Sequence, residues 1–143
     1  WFRELSPMAA RHGGVLAAAH DAAQTLLAEP REVVALHGDV HHANILDFGA
    51  QGWLAIDPKG LLGERGYDYA NPFCNPDTAT ALQPGRLQSY LAQVSEQAKM
   101  EPKRLLMWIL AYSGLSAAWI LGDGDGARFD LSIAELAAAE LGV

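Results

Sequence analysis

"LHGDVHHANIL", Leu36–Leu46, sets three histidines, an aspartate and an asparagine between two apolar runs. Apolar runs this short read as strands, so a polar loop this dense between them calls for a chemical reason. Three readings fit the letters: a metal nest of histidines, a phosphoryl-transfer loop, or a turn that is merely rich in His. Spacing helps to separate them. Asn44 follows Asp39 by five positions, and Asp57 lies thirteen beyond Asn44, at the end of another strand-like run. An Asp, an Asn of the same loop and a second Asp across a hairpin can converge on one point. Such oxygen donors suit Mg²⁺ and suit zinc poorly. A carboxylate free of metal can instead accept a proton from a substrate hydroxyl.

Working outward, Val33–Leu36, Asn44–Phe48 and Trp53–Ile56 read as short strands, with Gly49 and Gly52 bracketing a hairpin between the last two. Pro58, Gly60, Gly63 and Gly66 turn the following stretch into a loop of about ten residues. Asn71–Pro84 carries three prolines and stays irregular for much of its length. Upstream, Ser6-Pro7 reads as a helix start. Val15–Ala28 is a helix with Leu16, Ala19, Ala23, Leu26 and Leu27 on one face, ended by Pro30. Downstream, Pro84–Ala98 is helical, with Leu87, Leu91, Val94 and Ala98 in register. Pro102 opens a helix that is apolar almost all round over Leu105–Leu121, the pattern of a buried helix at the centre of a layer. Gly122–Gly126 is a connector, and Ser132-x-x-Glu135 reads as a capping box for a last helix running to about Leu141. A helix, a small β cluster and then helices is not βαβ alternation. It predicts a mainly helical α+β domain with its polar residues gathered at strand ends.

The chain has 143 residues, half of them apolar, which suffices for one domain with a sizeable core. Its mean hydropathy is near zero. A net charge of −7 argues against a nucleic-acid surface and fits a cationic partner. The single cysteine, Cys74, rules out an intrachain disulfide and suits a reducing, cytoplasmic setting. No apolar run approaches the ~20 residues of a membrane span, and the first residues lack the pattern of a signal peptide. The chain opens on Trp1 without an initiator Met, which suggests a piece of a longer protein.

The order H-x-D-x-x-x-x-N followed by another Asp is that of the protein-kinase catalytic core. Here it reads HGDVHHAN and then IDPKG. Gly38 follows the His where protein kinases usually carry Arg, and in this the sequence resembles the aminoglycoside phosphotransferase family. "LHGDVHHANIL", "WLAIDPKGLLGERGYDYAN" and the following "NP" are most similar to its streptomycin 6-kinase and hydroxyurea phosphotransferase group. The similarity runs from roughly Leu16 to Pro76.

The resemblance implies that residues 1–143 form the C-terminal lobe of a protein-kinase-like fold, with the β cluster carrying the catalytic loop and the N-terminal nucleotide lobe absent. It implies ATP as phosphoryl donor, Mg²⁺ as cofactor, and a small, hydroxylated, cationic acceptor such as streptomycin. Asp39 would be the catalytic base, and Asn44 and Asp57 the metal ligands. His37 would brace the loop, and Asp68 would accept hydrogen bonds from loop amides. Lys59 fits the D-P-K-G of this group, either as a phosphate contact or as a solvated loop lysine. Gly38 in place of Arg leaves nothing to read a phosphorylated activation loop, which favours a small-molecule kinase.

Several alternatives stand beside this reading. A binuclear metallophosphoesterase shares the look of "GDVHH", but its D-x-H, G-D-x-x-D and G-N-H segments are missing. A kinase-like binding module without turnover needs no phosphate-clamping half, and a chain without that half is expected to be inactive alone. His41 and His42 read as loop residues rather than ligands. Asp123 and Asp125 start like a Ca²⁺ loop, but its sixth and twelfth positions are Arg128 and Ala134, so that reading fails. Glu64, Asp68, Asp77, Asp123, Asp125, Asp130, Glu135 and Glu140 are the carboxylates available to attract a cationic acceptor.

Overall fold

The computed structural model describes residues 1–124 and 126–143; Asp125, named above among the acidic candidates, lies outside them. Helix α6 (Pro102–Gly122) is the axis of the molecule. Leu105, Ile109 and Leu115 on it are fully enclosed, as its apolar composition demands. Pro102 sits at its start, where a missing N–H costs nothing. Helices α2 (Gly14–Ala28) and α7 (Arg128–Leu141) pack along it. Helices α1 (Leu5–His12), α3 (Gly66–Ala70) and α5 (Arg86–Ala98) complete the layer. The α2–α6 contact is close because small residues face each other. A Cβ added at Gly114 would lie 2.3 Å from the Cβ of Ala19.

By length and composition α6 is apolar enough to cross a membrane, which the sequence reading had not found in any run. The rest of the chain buries 67% of its most apolar window, so packing partners account for that composition.

The strands form two separate antiparallel pairs on the surface of this layer. Strand β1 (Val33–Leu36) pairs with β4 (Leu61–Glu64), Val33 opposite Glu64 and Leu36 opposite Leu61. Strand β2 (Ile45–Asp47) pairs with β3 (Trp53–Ala55), Ile45 opposite Ala55. The second pair is the hairpin expected from Gly49 and Gly52, closed by Phe48 N–H donating to the Gly52 carbonyl at 2.9 Å.

Strand β4 was not expected, because Gly63 within it and Gly60 and Gly66 around it read as loop. The backbone groups of β1 need partners, and Leu61–Glu64 supplies them. The irregular stretch after Asn71 contains the short helix α4 (Thr78–Ala81), whose cap is Asp77 accepting the Thr80 N–H at 2.8 Å. Helix α5 begins at Arg86, two residues after Pro84. Helix α7 begins at Arg128, ahead of the expected capping box. Ser132 lies inside it and donates to the Arg128 carbonyl at 2.9 Å. Helix α1 starts at Leu5, so Ser6 and Pro7 lie within its first turn rather than at its cap.

One buried charge fastens the outer strand to the axis. The Glu64 carboxylate at the end of β4 receives Arg104 through Nε at 2.6 Å and Nη2 at 2.5 Å. It also receives Trp108 Nε1 at 2.8 Å and the Arg31 N–H at 2.9 Å. Burial alone would push this carboxyl up. Arg104, Arg31 and Trp108 together outweigh that and hold it below the usual carboxylate range.

Candidate active site

The loop from Leu36 to Asn44 leaves β1 at its buried end. Gly38 adopts φ +84°, and a Cβ there would come within 2.9 Å of Leu61 Cδ1 and 3.1 Å of Lys59 Cβ. Only glycine fits both constraints. Two anchors then set the loop. Asp68 of α3 accepts the His37 N–H on Oδ2 and the Gly38 N–H on Oδ1, both at 2.8 Å. The His37 ring lies with Nε2 2.8 Å from the Ile56 carbonyl, and its Nδ1 accepts the Asp39 N–H at 3.2 Å. A neutral ring protonated on Nε2 satisfies both contacts. The Lys59 N–H donates to the His37 carbonyl at 2.6 Å, and the Ile56 N–H to the Asn44 carbonyl at 2.8 Å. The loop is thus tied to α3 on one side and to the end of β3 on the other.

These ties bring Asp39, Asn44 and Asp57 together. Asn44 Nδ2 donates to the Asp39 carbonyl at 3.0 Å and approaches Asp39 Oδ2 at 3.4 Å. The amide is thereby oriented, and its Oδ1 has no protein donor among the described residues. Lys59 Nζ lies 3.4 Å from Asp39 Oδ2 and 3.3 Å from Asp57 Oδ2. Hydrogen bonding to Asp57 and then to Asp39 raises the lysine above its usual range. Asp57 has φ +58°, a conformation in which Asp is among the better tolerated side chains. Its carboxylate is 71% exposed, against 29% for that of Asp39. The Asn44 oxygen and the Asp57 carboxylate are the hard donors that Mg²⁺ prefers.

The sequence reading missed Asn71. This buried residue directs Nδ2 at Asp39 Oδ1, 3.4 Å away. Asn75 fixes its orientation by donating to Asn71 Oδ1 at 3.0 Å and to its carbonyl at 3.1 Å. A signal was present: Asn71 follows Asp68 by one helical turn, so both face the same side. His41 Nε2 lies 3.7 Å from Asp39 Oδ1.

On the side of His41 opens a cavity of about 420 Å³, walled by His41 and His42 of the loop, Asn75, and Arg86 and Tyr90 of α5. The Arg86 guanidinium stacks over the Tyr90 ring at 5.1 Å and donates to the Asn75 carbonyl at 2.9 Å. Among the described residues, none of the acidic candidates lines this cavity. Glu64 is in its buried ion pair, Asp68 holds the loop, Asp77 caps α4 and Asp130 is buried in α7.

The model of the aminoglycoside/hydroxyurea antibiotic resistance kinases matches residues 1–124. The chain belongs to this family. Streptomycin 3''-kinase of Klebsiella pneumoniae is 54% identical to this family member over 96% of the chain and 54% of its own length. Hydroxyurea phosphotransferase of Kitasatospora aureofaciens is 29% identical over 80% of the chain and 31% of its own length. Streptomycin 6-kinase of Streptomyces griseus is 46% identical over 43 residues, 30% of the chain and 14% of its own length. The chain therefore spans about half the length, or less, of these curated relatives. No solved structure gives a significant match.

Proposed function

We propose that this chain is the catalytic-loop half, the C-terminal lobe, of a cytoplasmic kinase of protein-kinase-like fold. That kinase moves the γ-phosphoryl group of ATP to a hydroxyl of streptomycin or a related amine-bearing acceptor, and so confers resistance. The observation that carries this reading is the convergence of Asp39, Asn44 and Asp57, held by Asp68 and His37 under a glycine that no other residue could replace. Family membership and the names of the relatives support the same chemistry.

In this reading Asp39 orients the acceptor hydroxyl and takes its proton as the oxygen forms its bond to phosphorus. Asn44 Oδ1 and Asp57 would hold Mg²⁺, which when bound neutralises charge on the phosphates. The hydroxyl reaches Asp39 from the cavity between the loop and α5. Among the described residues its walls carry Arg86 and no carboxylate, so they suit a hydroxylated ring of the acceptor better than its cationic groups. The elements ahead of β1 are helical. They offer no counterpart to the phosphate-covering loop and its lysine, so the chain alone is expected to transfer little phosphate.

The test is phosphorylation of streptomycin by the intact gene product with ATP, with mass spectrometry locating the phosphate. Asp39→Asn, with an unchanged circular dichroism spectrum, is expected to lower kcat by roughly 10²- to 10⁴-fold. Undiminished turnover in that variant would overturn the role of Asp39.

A further inference from the structure

Lys59 is placed more firmly than a surface lysine ordinarily is. Its N–H is bonded to the His37 carbonyl at 2.6 Å, which pins its backbone against the catalytic loop two residues before Asp39. Its Cβ packs over Gly38, where no side chain intervenes. From this fixed base the stem carries the ammonium between two carboxylates of separate segments, 3.4 Å from Asp39 Oδ2 and 3.3 Å from Asp57 Oδ2. Two negative charges therefore share one positive charge beside Asn44, whose Nδ2 lies 3.4 Å from the same Asp39 oxygen.

An ammonium and a divalent ion place opposite demands on that point. Mg²⁺ needs carboxylate oxygen at about 2.0–2.1 Å in a nearly octahedral shell. An ammonium on the same Asp57 oxygen stands in the way, and the two cations repel.

We infer that Lys59 is an exchangeable internal counterion: it holds Asp39 and Asp57 together before the metal arrives, and it releases Asp57 when a divalent cation binds. This rests on the reading of Asn44 and Asp57 as metal ligands. In the metal-free chain the lysine prevents two carboxylates from repelling each other across the loop. Once displaced, its head is free at the edge of the site. The lysine is thus a positioning residue with two stations.

Two measurements on the folded 143-residue chain test this, with Mn²⁺ and Mg²⁺ alone as probes. The first is Mn²⁺ binding by electron paramagnetic resonance. Lys59→Met is expected to bind Mn²⁺ roughly fivefold or more tightly than the parent, and Lys59→Arg close to the parent. A nearby charge that never touched Asp57 could produce part of that gain, so the second measurement follows the lysine itself. Pulse acetylation read by mass spectrometry is expected to show Lys59 becoming more reactive as Mg²⁺ is added, with Lys99 and Lys103 unchanged. Asp57→Asn is expected to abolish that rise. Equal Mn²⁺ affinity, or Lys59 reactivity that Mg²⁺ leaves flat, would overturn the counterion while leaving the metal ligands standing. Failure of parent and Lys59→Met alike to take up Mn²⁺ would remove the metal reading and the counterion with it.

Discussion

Asp39 is held from several sides by groups of different kinds. Asn71 and His41 lie against one carboxylate oxygen, Asn44 and Lys59 against the other. The asparagines fix a direction without adding charge, and the Lys59 ammonium supplies a counter-charge. Asn71 is the member whose loss is most informative, because it is buried and its own orientation is dictated by Asn75. In the intact enzyme Asn71→Ala is expected to lower kcat about tenfold with KM little changed, since it would misalign Asp39, the proposed base, rather than the acceptor. Steady-state kinetics decide this, and an effect confined to KM would place Asn71 on the binding side. Asp39, Asn44 and Asp57 were legible in the sequence because a loop and a hairpin bring them together at short separations. The stations of Asn71 and of the Lys59 head were not, because they depend on where α3 and the post-hairpin turn pack.

Among elements, α6 and the β2–β3 hairpin could be read directly, one from an apolar run too long for a strand, the other from two glycines. Strand β4 could not. Gly63 within it and Gly60 before it carry the signature of a loop, and it becomes a strand only because β1 lies alongside it. The start of α7 was misplaced for a related reason: a serine three residues before a glutamate marks a helix start only where the chain is not already helical, and there Ser132 bonds back to Arg128. Packing between elements makes its own prediction. Gly114→Ala puts a methyl 2.3 Å from Ala19 in the α2–α6 contact and is expected to destabilise the fold by about 1–3 kcal/mol. Gly122→Ala, whose nearest neighbour would be Met8 Cε at 3.9 Å, is the control, expected to be neutral or slightly stabilising. Urea denaturation of the two variants measures the contrast.

For the whole molecule, two buried carboxyls pull the pH dependence of stability in opposite directions. Glu64 is held below its usual range, so its ion pair contributes fully above that range and is lost as pH falls through the folded value. Asp130 is raised by burial, which the Ser116 hydroxyl only partly offsets. The native state therefore holds its proton more tightly than the unfolded chain does. Its contribution is most favourable at low pH and falls as pH rises from the usual carboxylate range to the folded value. Above that the penalty persists. Asp130→Asn is accordingly expected to raise Tm at pH 7 by a few degrees and to lose that advantage near pH 3. Glu64→Gln is expected to cost about 3 kcal/mol at pH 7, because it leaves Arg104 buried without its partner, and less in acid. Thermal melts across that pH range check both signs.

The two strand pairs have a practical meaning for anyone handling this chain. A two-stranded ribbon is all edge: each strand has one row of backbone donors and acceptors facing outward. On these ribbons Leu62 is 78% and Trp53 71% exposed, with Val33, Val34 and Leu54 also uncovered. Open edges beside apolar side chains are templates for sheet growth between molecules. At high concentration the isolated chain is expected to self-associate through these ribbons. Leu62→Lys, at the most exposed of these side chains, is expected to reduce light scattering in proportion to concentration while leaving the melting curve in place.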